Sequence, residues 1–261
     1  MKVLGYVMLH YGLEYLEYAL IPLCEVCDKV IILYSLNPSH NGKDQQVNME
    51  TRRELMIIAA KFEKVEWVDV YNCYDEGTHR NEIFKHSQKY DVLVNADYDE
   101  VWDVDDLGRA VVECYNSPYR NHGIDGFIHF WKSFRYVAAN YKILQDDGRY
   151  LEGKESDLFR PHRLIHLREK NTVRQPDIKA KIYHFGYAIQ RRKMTYKLSI
   201  HGHRSEWDKT WFETWRSWQP SRKKGKFHPV SKEVWLNIKQ FDHTKLPKIM
   251  KSHPYYNLNM I

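Results

Sequence analysis

Short apolar runs alternate along the first part of the chain with stretches in which apolar residues return every three or four positions. "KVLGYVM" (Lys2–Met8) has the continuous apolar character of a buried strand, and Leu13, Leu16, Ala19, Leu20 and Leu23 then recur at helical spacing before a second such run, "KVIILYS" (Lys29–Ser35). A polar loop punctuated by Pro38 and Gly42 leads to a predicted helix around Met49–Lys61 and a third strand, "VEWVDVY" (Val65–Tyr71). "EGTHRNEIFKHSQKY" predicts a turn and a short helix, "DVLVNA" a fourth strand, and Val104–Asn116 a further helix. Strands that alternate with helices imply a largely parallel sheet covered on both faces, with ligands at the carboxyl ends of its strands.

The pattern then changes. "GFIHFWKSFRYV" (Gly126–Val137) alternates over enough residues for one long strand of a mixed sheet, and beyond it only "LIHL" (Leu164–Leu167) and "KIYHFGYA" (Lys181–Ala188) stand out as strands. From Met194 a helix, a Trp-rich basic segment and a polar tail follow. No internal repeat or flexible linker divides the chain. At 261 residues it is long enough to bury a full core without disulfides.

Charge is unevenly distributed. Residues 1–157 hold 17 Lys+Arg and 27 Asp+Glu, whereas residues 158–261 hold 23 and 7, so a net charge of +6 conceals an acidic part and a basic one. An acidic part suits a metal-dependent site and a basic part suits polyanions; the alternative is that the two simply offset each other's fields. No stretch approaches the roughly 18 consecutive apolar residues of a membrane span. The opening residues carry acids where a secretory leader is apolar, so a cytosolic protein is expected. Of the four cysteines, Cys24 and Cys27 form the one close pair, and with no second pair at zinc-site spacing buried free thiols are expected.

"YDVLVNADYDEVWD" (Tyr90–Asp103) sets Asp97, Asp99, Glu100 and Asp103 at the mouth of an apolar strand, where their mutual repulsion costs stability. A divalent cation explains the cost. Mg²⁺ or Mn²⁺ needs one or two carboxylates plus waters and phosphates, and in extended backbone Asp97 and Asp99 point the same way.

"DVLVNADYDEVW" resembles the Asp-x-Asp strand end of GT-A glycosyltransferases of the family-2-like group, which use nucleotide-diphosphate sugars. "EGTHRNEIF" (Glu76–Phe84) is similar to the Gly-x-x-x-Arg-Asn helix start of that group, through Gly77, Arg80 and Asn81. "IYHFGYAIQRRKMTYKLSIHGH" (Ile182–His203) is similar to its His-[Phe/Tyr]-Gly-[Tyr/Trp] segment with a Met-x-x-Lys helix. The resemblance implies a GT-A-type α/β domain over residues 1–203, with a nucleotide-sugar-binding half at 1–103 and an acceptor-side half at 104–203. Residues 204–261 would form a basic, Trp-rich extension packed on it. It further implies Asp97, Asp99 and His184 at a Mn²⁺ or Mg²⁺ site, with Asp97 also facing the ribose, Arg80 on the base or diphosphate, and His10 and Tyr11 over the nucleoside. Lys197, with Arg192 and Lys193, would neutralise the diphosphate. Glu155 or Asp157 of "LEGKESDLFRPHR" would be the general base, although Ser156 interrupts the usual Glu-Asp pair. The group often ends its second strand in an Asp that recognises uracil, and here the chain reads "LYSLNPSH". Residue by residue, competing readings stay open: a core histidine for His184, loop acids for Glu155 and Asp157, a solvated helix face for the cations.

Trp207, Trp211, Trp215 and Trp218 recur at helix spacing among Arg204, Lys209, Arg216, Arg222, Lys223, Lys224 and Lys226. Docked on a core, the rings would leave their cations wet; exposed, they would stack on bases or sugars while the cations took phosphates. Two functions follow. One is a metal-dependent transferase using a nucleotide sugar, UDP-linked by the resemblance; its acceptor is a hydroxymethylated base in DNA reached through the basic segment 204–226, or a lipid-linked or saccharide hydroxyl. The other is a non-catalytic nucleic-acid-binding protein on a degenerate transferase scaffold, against which the joint retention of Asp97, Asp99, Arg80 and His184 argues.

Overall fold

The computed structural model describes residues 1–38, 48–71, 76–139, 162–168, 178–200, 206, 208–230, 235 and 237–261. The chain divides into two compact units, Met1–Phe127 with Arg160–His184, and Ile128–Phe159 with Phe185–Ile261.

Four parallel strands form the centre of the first unit: β1 (Val3–Leu9), β2 (Lys29–Tyr34), β3 (Val65–Asp69) and β4 (Val92–Asp97). Their spatial order is β4-β1-β2-β3, with Tyr6 opposite Ile31 on one side and Asn95 on the other. This mostly parallel sheet flanked by helices is the fold class the alternating pattern predicts. Alternation along each strand explains its two buried faces. Val3, Val7, Val30, Ile32, Val92 and Val94 pack against α1 (Leu16–Val26), α2 (Arg52–Ala59) and α4 (Val104–Asn116). Leu4, Tyr6, Ile31, Leu33 and Leu93 meet Ile83 and Phe84 of the 3-10 turn (Glu82–Lys85) that follows α3 (Glu76–Asn81).

The helix starts are chemically marked. Thr51 accepts from the Glu54 backbone N–H while its own N–H donates to the Glu54 carboxylate, a reciprocal cap for α2. Asp103 accepts from the Asp106 N–H and caps α4. Cys27 and Cys114 are buried in the layer that α1 and α4 make with the sheet, Cys24 is half-buried, and all three are free thiols. Burial pushes the Cys24 thiol up to about 11 and Cys114 up to about 12. Cys73 lies outside the described residues.

Antiparallel strands are added to this unit. β8 (His162–His166) runs antiparallel to β4, with Val94 opposite Leu164, and the short β5 (Glu100–Trp102) pairs antiparallel with β9 (Ile178–Tyr187), Glu100 opposite His184. β6 (Asn121–Trp131) begins here beside β8 and ends in the second unit. The single long strand expected over Gly126–Val137 is instead two. The chain turns after Trp131, where Lys132 takes a positive φ of 53°, and β7 (Tyr136–Ala139) returns antiparallel to β6. β10 (Asn237–Gln240) pairs with β7 in the same unit, which also contains α5 (Arg191–Ser199) and α6 (Trp211–Ser217). No helix among the described residues is long and apolar enough to cross a membrane.

Candidate functional site

In the order β4-β1-β2-β3 the chain steps from β1 to one neighbour through α1 and reaches its other neighbour two strands later. The carboxyl ends of β1 and β4 therefore flank the point at which strand order reverses, where open α/β sheets bind ligands. His10 and Tyr11 follow β1 there, and Asp97 ends β4.

The loop after β1 is held from outside. Asn48 donates to the His10 carbonyl at 3.0 Å, and the buried Glu50 carboxylate accepts from the Gly12 and Leu13 N–H groups. The His10 Nδ1 lies 2.9 Å from the Ser35 carbonyl at the end of β2, and burial lowers its pKa despite that bond. Gly12 sits at φ +150°, and a Cβ there would come 2.4 Å from the Tyr98 ring, so no other residue fits. The Tyr98 ring also packs on Tyr11, with centroids 5.0 Å apart. Loop and acidic turn are keyed together by that contact.

Both oxygens of Asp97 are engaged. Arg80 Nη2 donates to Oδ1 at 2.8 Å and Arg163 Nη2 to Oδ2 at 2.8 Å. Arg80 also donates to the Asn95 side chain at 2.9 Å and to Glu76 at 2.7 Å, while Arg163 is paired with Glu100, whose other oxygen accepts from the Asp97 N–H at 3.1 Å. Burial would raise the Asp97 pKa, but the two guanidiniums outweigh it and hold the carboxyl well below the usual range. Glu100 goes the other way: burial pushes it up to about 7, the Asp97 charge adds to the rise and Arg163 opposes it.

Asp99, 3% exposed, turns elsewhere: its Oδ1 lies 3.7 Å from His184 Nε2. The antiparallel pairing of β5 with β9 brings them together, because Glu100 is opposite His184. A carboxylate oxygen and an imidazole nitrogen this close fit Mn²⁺ or Mg²⁺, whose remaining positions waters and phosphates fill. No cluster of three or more His, Cys, Asp or Glu suited to a metal occurs among the described residues. Of the three ligands the resemblance implies, then, Asp99 and His184 adjoin, whereas Asp97 is turned to two arginines.

Other expected residues belong to the second unit or fall outside the described residues. Lys197 belongs to the second unit, where its Nζ donates to the Gly186 carbonyl at 3.2 Å and lies over the Tyr187 ring. Glu155, Asp157 and Trp207 fall outside the described residues. Trp211, Trp215 and Trp218 are almost wholly buried, with each indole N–H donated to a backbone carbonyl, so these rings do not stack on a ligand. Sequence reasoning missed Arg163, Glu50 and Asn48; an Arg opening an apolar strand and an acid after a polar loop give no local signal of what they face.

No family model and no curated protein matches the chain. Among solved structures, GalNAc-T7 with UDP, GalNAc and Mn²⁺ aligns with 49% of this chain and 23% of its own, at a TM-score of 0.37 and 9% identity. Residues 1–349 of S. aureus TarS align with 77% and 66%, at 0.40 and 10%. The 4-diphosphocytidyl-2C-methyl-D-erythritol synthase of Anaerococcus prevotii aligns with 82% of both chains, at 0.38 and 13%. The chain thus spans about a quarter of the GalNAc-T7 chain and just under two thirds of the TarS chain.

Proposed function

We propose that this chain is a glycosyltransferase that moves a sugar from a nucleotide-diphosphate donor, read as a UDP-sugar, to an acceptor hydroxyl with the help of Mn²⁺ or Mg²⁺. One observation carries the reading: the Asp99–His184 pair, 3.7 Å apart, beside an arginine-clamped Asp97 at the carboxyl end of β4.

Asp99 and His184 would hold the ion, which when bound supplies positive charge against the charge developing on the leaving diphosphate. Asp97, fixed on both oxygens, would offer its remaining lone pairs to the ribose hydroxyls. His10 and Tyr11 would cover the nucleoside, and the Tyr11–Tyr98 ring pair gives it an apolar wall. Arg80, locked by Asn95 and Asp97, would present its charge to the base or diphosphate. Proton removal from the acceptor would fall to Glu155 or Asp157. The acceptor hydroxyl belongs to a saccharide or lipid-linked carrier, or to a hydroxymethylated base; for the last, the exposed cations of the second unit are the support, since the Trp rings are buried.

The test is diphosphate release from a panel of nucleotide sugars with Mn²⁺, with and without candidate acceptors. Asp99→Asn is expected to lower turnover by about 1,000-fold, about 4 kcal/mol of barrier, with near-UV circular dichroism unchanged. Chelator is expected to inhibit the parent reversibly. Full turnover in chelator, or in the variant, would overturn the reading.

A further inference from the structure

Between α6 and β10, the second unit displays Arg222, Lys223, Lys224 and Lys226, all exposed and none ion-paired among the described residues. Only four acids, Glu206, Asp208, Glu213 and Asp242, stand among the described residues of this unit, and Glu213 is taken by Arg216.

This loop is not a loose basic tail. Trp218 Nε1 donates to the Arg222 carbonyl at 2.7 Å, and Trp211 Nε1 to the Phe227 carbonyl at 2.7 Å, so buried indoles pin it at both ends. Between those pins the Lys223 carbonyl accepts from the Ile238 N–H at 2.9 Å, and Lys224 bridges to Asn237 at the start of β10. The backbone is fixed and the charges project from it. Cations held in one place without acids repel each other, a cost that a multivalent anion removes.

We propose that this pinned loop docks the phosphodiester backbone of a nucleic acid. Four exposed cations along one loop suit an extended polyanion better than a compact phosphate, which binds in a concave site. A bilayer suits it less well: Leu258 is the one exposed large apolar side chain of this unit among the described residues, and charge without an apolar anchor holds a membrane weakly. Because Trp211, Trp215 and Trp218 are buried, the loop grips phosphates and reads no bases. The inference stands apart from the transferase reading, since nothing in it needs a donor or a metal.

Fluorescence anisotropy of labelled DNA duplexes with the full chain, without nucleotide sugar or metal, tests it. Four phosphate contacts, each contributing about 0.9 to the slope of log K on log[salt], predict a fall in affinity of about 100-fold between about 50 and 200 mM salt. The triple variant Arg222→Glu, Lys223→Glu, Lys224→Glu should lose at least about 100-fold at the lower salt and flatten the slope to about −0.9, with its melting temperature unchanged. Equal affinity for duplexes of unrelated sequence is expected. No binding by the parent at low salt, parent-like binding by a folded triple variant, a strong base preference, or capture by phosphatidylserine vesicles with none by DNA would each overturn the proposal.

Discussion

In the first unit, Arg163 and Glu100 lie almost wholly out of water and Arg80 and Asp97 largely so, each tied to an opposite charge; in the second, Arg222, Lys223, Lys224 and Lys226 stand in water with no acid beside them among the described residues. Desolvating a charge costs several kcal/mol, so the buried set holds only if every partner is present, and its geometry follows from that requirement. Exposed charges impose no such geometry, and here neutral contacts, the indole N–H groups of Trp211 and Trp218, fix the backbone that carries them. Electrostatics sets shape in one unit; in the other, shape is set first and displays the electrostatics.

The sharpest way to break this comparison is to remove a buried partner. Arg163→Met would leave Asp97 and Glu100 facing each other in a dry site, and a loss of about 3–5 kcal/mol in urea unfolding is expected. An unchanged denaturation midpoint would mean that the carboxylates never relied on the guanidinium.

A smaller effect is expected from His79, buried with its ring N–H donated to the Leu33 carbonyl at 3.0 Å; burial lowers its pKa to about 4. The unfolded chain, near 6.5, binds the proton more readily, so stability is full above pH 6.5 and falls as pH drops toward 4, by on the order of 3 kcal/mol. Unfolding midpoints of the parent and His79→Gln between pH 7 and 4.5 should converge as pH falls. A constant gap would refute the assignment.

Trp218→Phe deletes the N–H that holds Arg222 and only partly refills a buried indole site, so about 2 kcal/mol of stability should go. If the pins order the basic loop, proteolysis should then appear near Arg222 before global unfolding. Least of all, Lys224→Glu should change stability by less than about 0.5 kcal/mol, measured by thermal melt, because nothing in its surroundings depends on the charge. A large loss there would place Lys224 with the buried set.

Much of the first unit is legible in sequence because its signals are local. Apolar runs mark β1, β2 and β4, helical spacing marks α1, and the residues expected for α4 are those it has. The acidic turn was legible as well, since carboxylates after an apolar strand conflict with the local pattern. Arg163 was not, for its role arises from the register of β8 on β4, between residues some seventy positions apart. The β6–β7 turn was hidden for a different reason: a lone Ser133 in a run of large residues is a weak turn signal, and Lys132 takes a positive φ there against its own preference. That His184 adjoins Asp99 was anticipated only by resemblance, because a histidine in an apolar strand reads equally well as core.

The two sealed cysteines, Cys27 and Cys114, give the molecule a built-in clock. Protonated thiols out of solvent do not react with alkylating reagents, so the rate at which a maleimide consumes them measures how often the layer of α1 and α4 on the sheet breathes open, residue by residue and under native conditions.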